Sequence, residues 1–347
     1  MRWASGGRPG GGWASRLWAL VLVASVLGAC GEGTTSSSLP RKPTVTSIGV
    51  GTPSSTPSPS EPATPPPVGR LAGSVAVGLQ PDGITFGYGS LWIGHYQTST
   101  VERIDPRSRR VVARIRTGVS PIDLAAGFGS IWAANFASAS VSRIDPATDR
   151  VVATIHVGLS PEGVTVGAGS VWTANQNDGS LSRIDPATNR VVATVELGAS
   201  VNYLSAGFGS VWVASRGKGA VQRIDPSTDR VVATVPAGQF PVHTRPGFGS
   251  MWVTNYDDGT IERIDPATNS VVARIPVGTE ADGICAFAGS MWVVSDGDYT
   301  LVQIDPDTNT LVGTVFVGSV PRNVVGGRSA LWVTNFGRGR VLRIVPT

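Results

Sequence analysis

The chain has 347 residues, and its 44 glycines and 25 prolines fall mostly at the ends of short strand-like runs, which excludes a helical body. Two cysteines exclude a disulfide framework. A formal charge of +4 comes from 28 basic and 24 acidic residues; without Arg2, Arg8 and Arg16 of an expected leader, 25 face 24, too even a balance for a charge-driven nucleic-acid partner.

Residues 1–30 read as that leader. The three arginines precede an apolar run from Leu17 to Ala29, which is too short to span a bilayer and ends in small residues. Leu27-Gly28-Ala29-Cys30 resembles the lipobox of bacterial lipoproteins, in which the cysteine is lipidated and becomes the new N-terminus. Cys30 is therefore the expected lipidation site, and the protein is expected on the outer side of a bacterial cell membrane. Residues 31–69 are rich in Pro, Ser, Thr and Gly, and bury too little apolar surface to offset their chain entropy. They read as a disordered tether which, if kept extended by proline, reaches on the order of 120 Å.

From Gly83 to Ile344 the chain repeats every 40 residues without insertion. Trp92, Trp132, Trp172, Trp212, Trp252, Trp292 and Trp332 keep one register. A period of about 40 residues built from strand-like segments is the signature of β-propeller blades. In the repeat beginning at Pro161, the runs 163–166, 171–175, 180–184 and 191–195 are rich in β-branched residues. Asn177-Asp178-Gly179 and Asp185-Pro186 mark the turns between them. Residues 70–347 are thus predicted to form an all-β, seven-bladed β-propeller of four-stranded blades. The tryptophans are expected to fill the space between blades, each contributing roughly 4–6 kcal/mol by area.

The seventh repeat lacks an outer strand after residues 341–344. Residues 70–78 align with 150–158 and are expected to supply that strand, closing the ring and burying Leu71, Val75 and Val77.

Function in a near-uniform ring is expected where repeats differ, on the loops of one mouth. One varied column precedes each inner strand: Asp82, Asp123, Glu162, Asn202 with Tyr203, His243, Asp282, and Arg322 with Asn323. Another follows the Trp strand and includes His95-Tyr96, Asn135-Phe136, Asn175-Gln176, Ser215-Arg216, Asn255-Tyr256, Ser295-Asp296 and Asn335-Phe336. Both should open on the same rim, as an acidic inner ring with aromatic residues around it. The predicted ligand-binding set is Asp82, Asp123, Glu162, Asn202, Tyr203, His243, Asp282, Tyr96, Phe136, Tyr256 and Phe336. It suits a sugar, a peptide segment, a partner protein or a divalent cation. Asp and Asn are also ordinary turn residues, so a plain solvated loop face stays open.

The repeated Ile-Asp-Pro positions (Asp105, Asp145, Asp185, Asp225, Asp265, Asp305) read as scaffold, capping their turn with the arginine two residues earlier. Cys285 aligns with Thr85, Thr165 and Ser205 on an inner strand and reads as a buried thiol.

Trp252-Val253-Thr254-Asn255, Trp332-Val333-Thr334-Asn335 and the Ile-Asp-Pro-x-Thr turn resemble bacterial YVTN-type propeller repeats and the wider streptogramin-lyase-like group. The resemblance covers residues 70–347. It implies an extracytoplasmic binding or surface protein, with a minority of enzymes among its relatives. The lyases open the streptogramin B ring with two histidines, a glutamate and magnesium. Here His95 and His243 could face the mouth, in blades three steps apart, and Glu162 is its one glutamate. A lactonase-like cation site would fall on Asp82, Glu162, Asn202 and Asp282. No catalytic or metal-binding residue is assigned and no cofactor is expected. The reading is a monomeric binding module without catalysis, the alternative a Mg- or Ca-assisted lyase or lactonase.

Overall fold

A computed structural model describes residues 65–198 and 200–347; the leader, Cys30 and the tether up to residue 64 lie outside the described residues. The remainder is seven four-stranded antiparallel sheets. Blade 1 runs from inner to outer strand through Pro81–Gly87, Ser90–His95, Thr100–Asp105 and Arg110–Arg116, and blades 2 to 6 repeat this order at forty-residue intervals. Inner strands of neighbouring blades touch all the way round, blade 7 to blade 1 included.

Burial follows from face-to-face packing. The second strand, covered on both faces, is buried at every residue, as in Ser90–His95. The outer strand alternates between exposed and covered positions, as in Arg110–Arg116. The tryptophans of the second strands are shut from solvent. Trp92, with Val101 and Ile115 of its own blade, packs against Leu124, Ile131 and Ile144 of the next. From Trp92 to Trp292 the indole N–H donates to the carbonyl five residues back, at 3.0–3.2 Å. Each ring is therefore buried without an unsatisfied donor.

The arginine column has a different role from the one expected. Each Asp of the Ile-Asp-Pro turn caps its own turn through the backbone N–H two residues later, at 2.8–3.0 Å. The arginine reaches the next blade instead. Arg103, Arg143, Arg183, Arg223 and Arg263 lie over their own blade's Trp at 4.8–5.7 Å. Each donates to the proline carbonyl of the following blade's turn at 2.6–3.4 Å. Asp149, Asn189, Asp229, Asn269 and Asn309 complete the latch.

The ring closes as expected. Strand Gly69–Ala76 pairs antiparallel with Arg340–Pro346, outermost in the sheet with Leu331–Asn335 and Pro321–Gly326. Val75 is buried and Val77 is half-buried, but Leu71 is 53% exposed. The pairing register shifts between Leu71 and Ser74 as it does at the same place in the other blades, where the aligned Val151, Val191 and Val231 are themselves only half-buried. At the junction of blades 6 and 7 the latch arginine is replaced by Gln303, which bonds within its own blade to Ser290. Residues 66–68 tie this junction instead. Pro66 accepts from the Thr314 N–H at 3.0 Å, and Val68 joins the cluster of Val315 and Leu331. Gly313 makes room for this crossing, because a Cβ there would collide with the Pro66 carbonyl.

Removing residues 1–77 should lower the melting temperature by on the order of 10 °C or cause aggregation, since it takes Val68, Val75 and a whole edge strand. A chain starting at Pro65 should melt like the full chain; equal melting of the two truncations would mean that the ring closes without this strand. Alanine occupies the Gly313 position in five other blades, yet Gly313→Ala should cost about 1–3 kcal/mol in denaturant unfolding of the full chain. In the chain lacking residues 1–77 the same change should be neutral or better.

Candidate functional site

The mouth is built at the start of the inner strands. In six blades the pairing register shifts there, between Pro81 and Ile84 in blade 1 for example. In blade 4 the inner strand begins only at Leu204. Such irregularities re-aim side chains away from the pleat. Asp82, Glu162 and Asp282 are each followed by glycine. A Cβ on Gly83 would stand 2.5 Å from the Ile122 carbonyl, on Gly163 2.8 Å from Tyr203, and on Gly283 2.5 Å from the Arg322 carbonyl. Glycine lets the next blade's backbone close on the acid, and that blade then adds its own polar side chain.

One arc of contacts runs from blade 4 to blade 1. Tyr203 stacks on His243, with centroids 3.8 Å apart. His243 Nε2 lies 3.2 Å from Asp282 Oδ1, and Arg322 Nη1 lies 3.4 Å from Asp282 Oδ2 and 3.3 Å from Asp296. The Arg322 guanidinium covers Phe336 at 5.4 Å, and Phe336 meets Tyr96 edge-on at 6.3 Å. Asn323 Nδ2 donates to Asp82 at 3.5 Å. The second arc is built around Glu162 and Asp123, which accept from an amide side chain and a backbone N–H. Glu162 accepts from Gln176, which also donates to Asn202 at 3.4 Å. Asn202 Nδ2 donates to the Pro241 carbonyl at 3.0 Å, and Asp123 accepts from the Val164 N–H at 2.8 Å. Arg216 covers Phe240 at 4.0 Å, and Phe240 leans on Tyr256 at 5.7 Å.

Burial dominates the electrostatics, with mutual repulsion of the acids added to it. Desolvation, then the Asp82 charge, pushes the Glu162 carboxyl up to about 8 despite Arg216. Desolvation pushes Asp82 up to about 7 against Arg322, and Asp296 to about 7 likewise. Asp123 is pushed to about 6 by burial, with the bond from Val164 opposing. Burial raises the Tyr203 phenol well above its ordinary value. Burial works against the Arg322 charge, but Asp282, Asp296 and Asp82 outweigh it and raise its pKa. Near neutral pH the mouth is a cluster of partly protonated carboxyls, with Arg322 held among Asp82, Asp282 and Asp296 and Arg216 beside Glu162.

Of the predicted set, Asp82, Asp123, Glu162, Asn202, Tyr203, His243, Asp282, Tyr96 and Phe336 fall within these contacts or their electrostatic reach, and Tyr256 lies beside them. Phe136 begins a short 3-10 turn and joins none of the ring contacts above. His95 does not face the mouth. It is wholly buried in blade 1, its Nδ1 3.2 Å from the Leu79 carbonyl and its Nε2 3.4 Å from Glu102. It occupies the position where other blades carry buried Asn135, Asn175 or Asn335. Arg322, left out of the predicted set, is the hub of the first arc. Its signal was available, as the one cation in the column Asp82, Ile122, Glu162, Asn202, Val242, Asp282, Arg322. Phe240 was likewise marked, as the one aromatic residue in the column Gln80, Ser120, Ser160, Ser200, Phe240, Glu280, Val320. Cys285 is buried and its thiol is pushed up to about 12 by desolvation, which leaves it unreactive. Among the described residues no group of three or more His, Cys, Asp or Glu side chains is placed to hold a metal ion.

No protein-family model matches the chain, and no curated protein matches it. Solved structures do. Hydrazine synthase of Kuenenia stuttgartiensis superposes with a TM-score of 0.70 at 17% identity, over 79% of this chain and 97% of that one. A catalytically inactive virginiamycin B lyase from Staphylococcus aureus, with quinupristin, superposes with a TM-score of 0.71 at 17% identity, over 80% of this chain and 100% of that one. What the chain shares with them at this identity is the fold, a seven-bladed β-propeller.

Proposed function

We propose that this chain is an extracytoplasmic, membrane-tethered binding propeller. Its mouth captures a polar partner carrying a positive charge, such as a lysine-bearing peptide segment, without transforming it. The observation that carries this reading is the set Asp82, Asp123 and Glu162, three buried carboxyls gathered in one mouth, where Asp82 and Asp123 add to the burial that holds the proton on Glu162. Arg322 supports it, since a guanidinium already sits between Asp282 and Asp296 over an aromatic face. Aromatic anchors and a few placed acceptors suffice for binding. The lyase reading needs two histidines at the mouth, and His95 is engaged inside blade 1.

Such binding is linked to pH. Below its folded-state pKa each carboxyl is neutral and offers a cation little; above it the carboxylate forms, so affinity rises with pH and binding releases protons. With Asp82 near 7 and Glu162 near 8, affinity for an oligo-lysine peptide should increase about tenfold from pH 6 to pH 8.5. Glu162→Gln should remove most of that increase, with proton uptake or release read by calorimetry in two buffers. A flat profile, or a Gln variant that binds like the wild type, rejects the cationic ligand. Turnover of quinupristin that is abolished by His243→Ala would replace binding with catalysis.

The tether rests on Leu27-Gly28-Ala29-Cys30 behind an apolar run. Two or more acyl chains anchor a protein firmly where one does not. Cys30→Ala should give unprocessed precursor or shed protein on fractionation. Mature protein retained in the membrane fraction after this change would exclude lipidation as the anchor.

A further inference from the structure

The junction of blades 7 and 1 departs from the latch used at five of the other junctions, and a cleft lies there. Five junctions place an arginine against a proline carbonyl and an Asp or Asn of the next turn. In blade 1 the residue at the Asp149, Asn189, Asp229, Asn269 and Asn309 position is Arg109. Arg343, the seventh-blade member of the latch column, shares one cleft with Arg109, which stands where the other blades supply a side-chain acceptor. Two further positions become arginine at this junction. Arg107 stands where the other turns carry Ala147, Ala187, Ser227, Ala267 and Asp307. Arg328 stands where the other blades carry an aromatic residue or alanine, such as Phe128 and Ala168.

These four arginines, with Asp105 and Trp332, line a cavity of about 760 Å³. The one carboxylate is engaged in its own turn, accepting from the Arg107 and Ser108 N–H groups and the Ser108 hydroxyl. Arg109 crosses towards blade 7, where Nη1 donates to the Ala72 carbonyl at 3.4 Å. The cleft includes Gly89, at the far end of the inner strand that begins beside Asp82, and so lies on the rim opposite the mouth.

We propose that this cleft binds a phosphate-bearing anion, which bridges blades 7 and 1 and takes the place of the missing latch. Guanidinium forks match phosphate oxygens two at a time, and four of them around the single carboxylate of Asp105 leave the cleft with an excess of positive charge. The volume suits a ligand larger than a bare ion. The phosphate could belong to a soluble phosphorylated molecule or to an anionic lipid headgroup. Because the anion would touch both sides of the closing seam, it binds the closed ring and not the unfolded chain, and so raises the melting temperature.

The test uses the full chain carrying Cys30→Ala, so that no lipid anchor contributes. Inorganic pyrophosphate at millimolar concentration should raise the melting temperature by about 4 °C over chloride at matched ionic strength. Arg109→Asn restores the acceptor of the other blades. It should melt at least as high as its parent without anion, and bind pyrophosphate at least tenfold more weakly by calorimetry. Arg328→Ala, an exposed change, should weaken binding similarly. Sedimentation with phosphatidylglycerol but not phosphatidylcholine vesicles, competed by pyrophosphate and lost in Arg109→Asn, assigns a lipid headgroup. Pyrophosphate binding without vesicle binding assigns a soluble ligand. The proposal fails if neither probe binds, or if Arg109→Asn and Arg328→Ala bind like their parent.

Discussion

The structure depends on one inter-blade unit: a buried tryptophan with its N–H satisfied by its own blade, covered by an arginine that reaches the next. The indole supplies apolar area where two sheets meet. Its bond to the carbonyl five residues back removes the penalty that a buried donor would otherwise carry. The arginine adds direction, because its fork must find a proline carbonyl and an Asp or Asn of the next blade. Partly exposed charge pairs of this kind are individually weak, and the burial beneath them is not. Repetition makes the sum large, while closure by Gly69–Ala76 leaves no interface to fray first.

A uniform frame leaves the mouth free to be irregular. Register shifts at the start of the inner strands and glycines after three of the acids bring carboxyls from different blades into one desolvated cluster. Such a cluster opposes folding when ionised, and its members respond by holding their protons to higher pH. Arg322 relieves one side of it through ion pairs where Asp282 and Asp296 converge, while Glu162 accepts from the Gln176 amide and feels the Arg216 charge. The asymmetry separates a charged, aromatic-backed half from a proton-holding half. It arises from residues at equivalent positions in blades that are otherwise nearly the same.

The seams where the repeat fails are as informative as the repeat. Gln303 and Arg109 each break the latch, on the two sides of the blade whose strands come from both ends of the described chain. At the first seam residues 66–68 cross over Gly313 to tie the blades. At the second, arginines gather around a cleft. A periodic alignment displays both as mismatched columns and gives neither a partner.

Strand positions, the number of blades and the closing strand were legible in the sequence, because each follows from local pattern. Alternation sets strands, Asn-Asp-Gly and Asp-Pro set turns, and a strict interval of Trp residues sets the count. The acidic and aromatic character of the mouth was legible for the same reason. Direction was not. His95 and Tyr96 are neighbours in sequence, yet His95 ends the doubly covered second strand and is sealed inside the blade, whereas Tyr96 lies past the strand's end and meets Phe336 at the mouth. Leu71 was expected to be buried, yet it lies on an outer strand where even the aligned Val151, Val191 and Val231 are only half-buried, since no further strand covers that edge. The arginine column looked local to its own turn and proved to act on the next blade, 43 residues on. Residue identity and spacing determined which strands form and how many blades they make. Which side chains meet across blades, and how far their protons are held, was decided only when the ring closed, since contact and desolvation belong to the assembled fold and not to any one repeat.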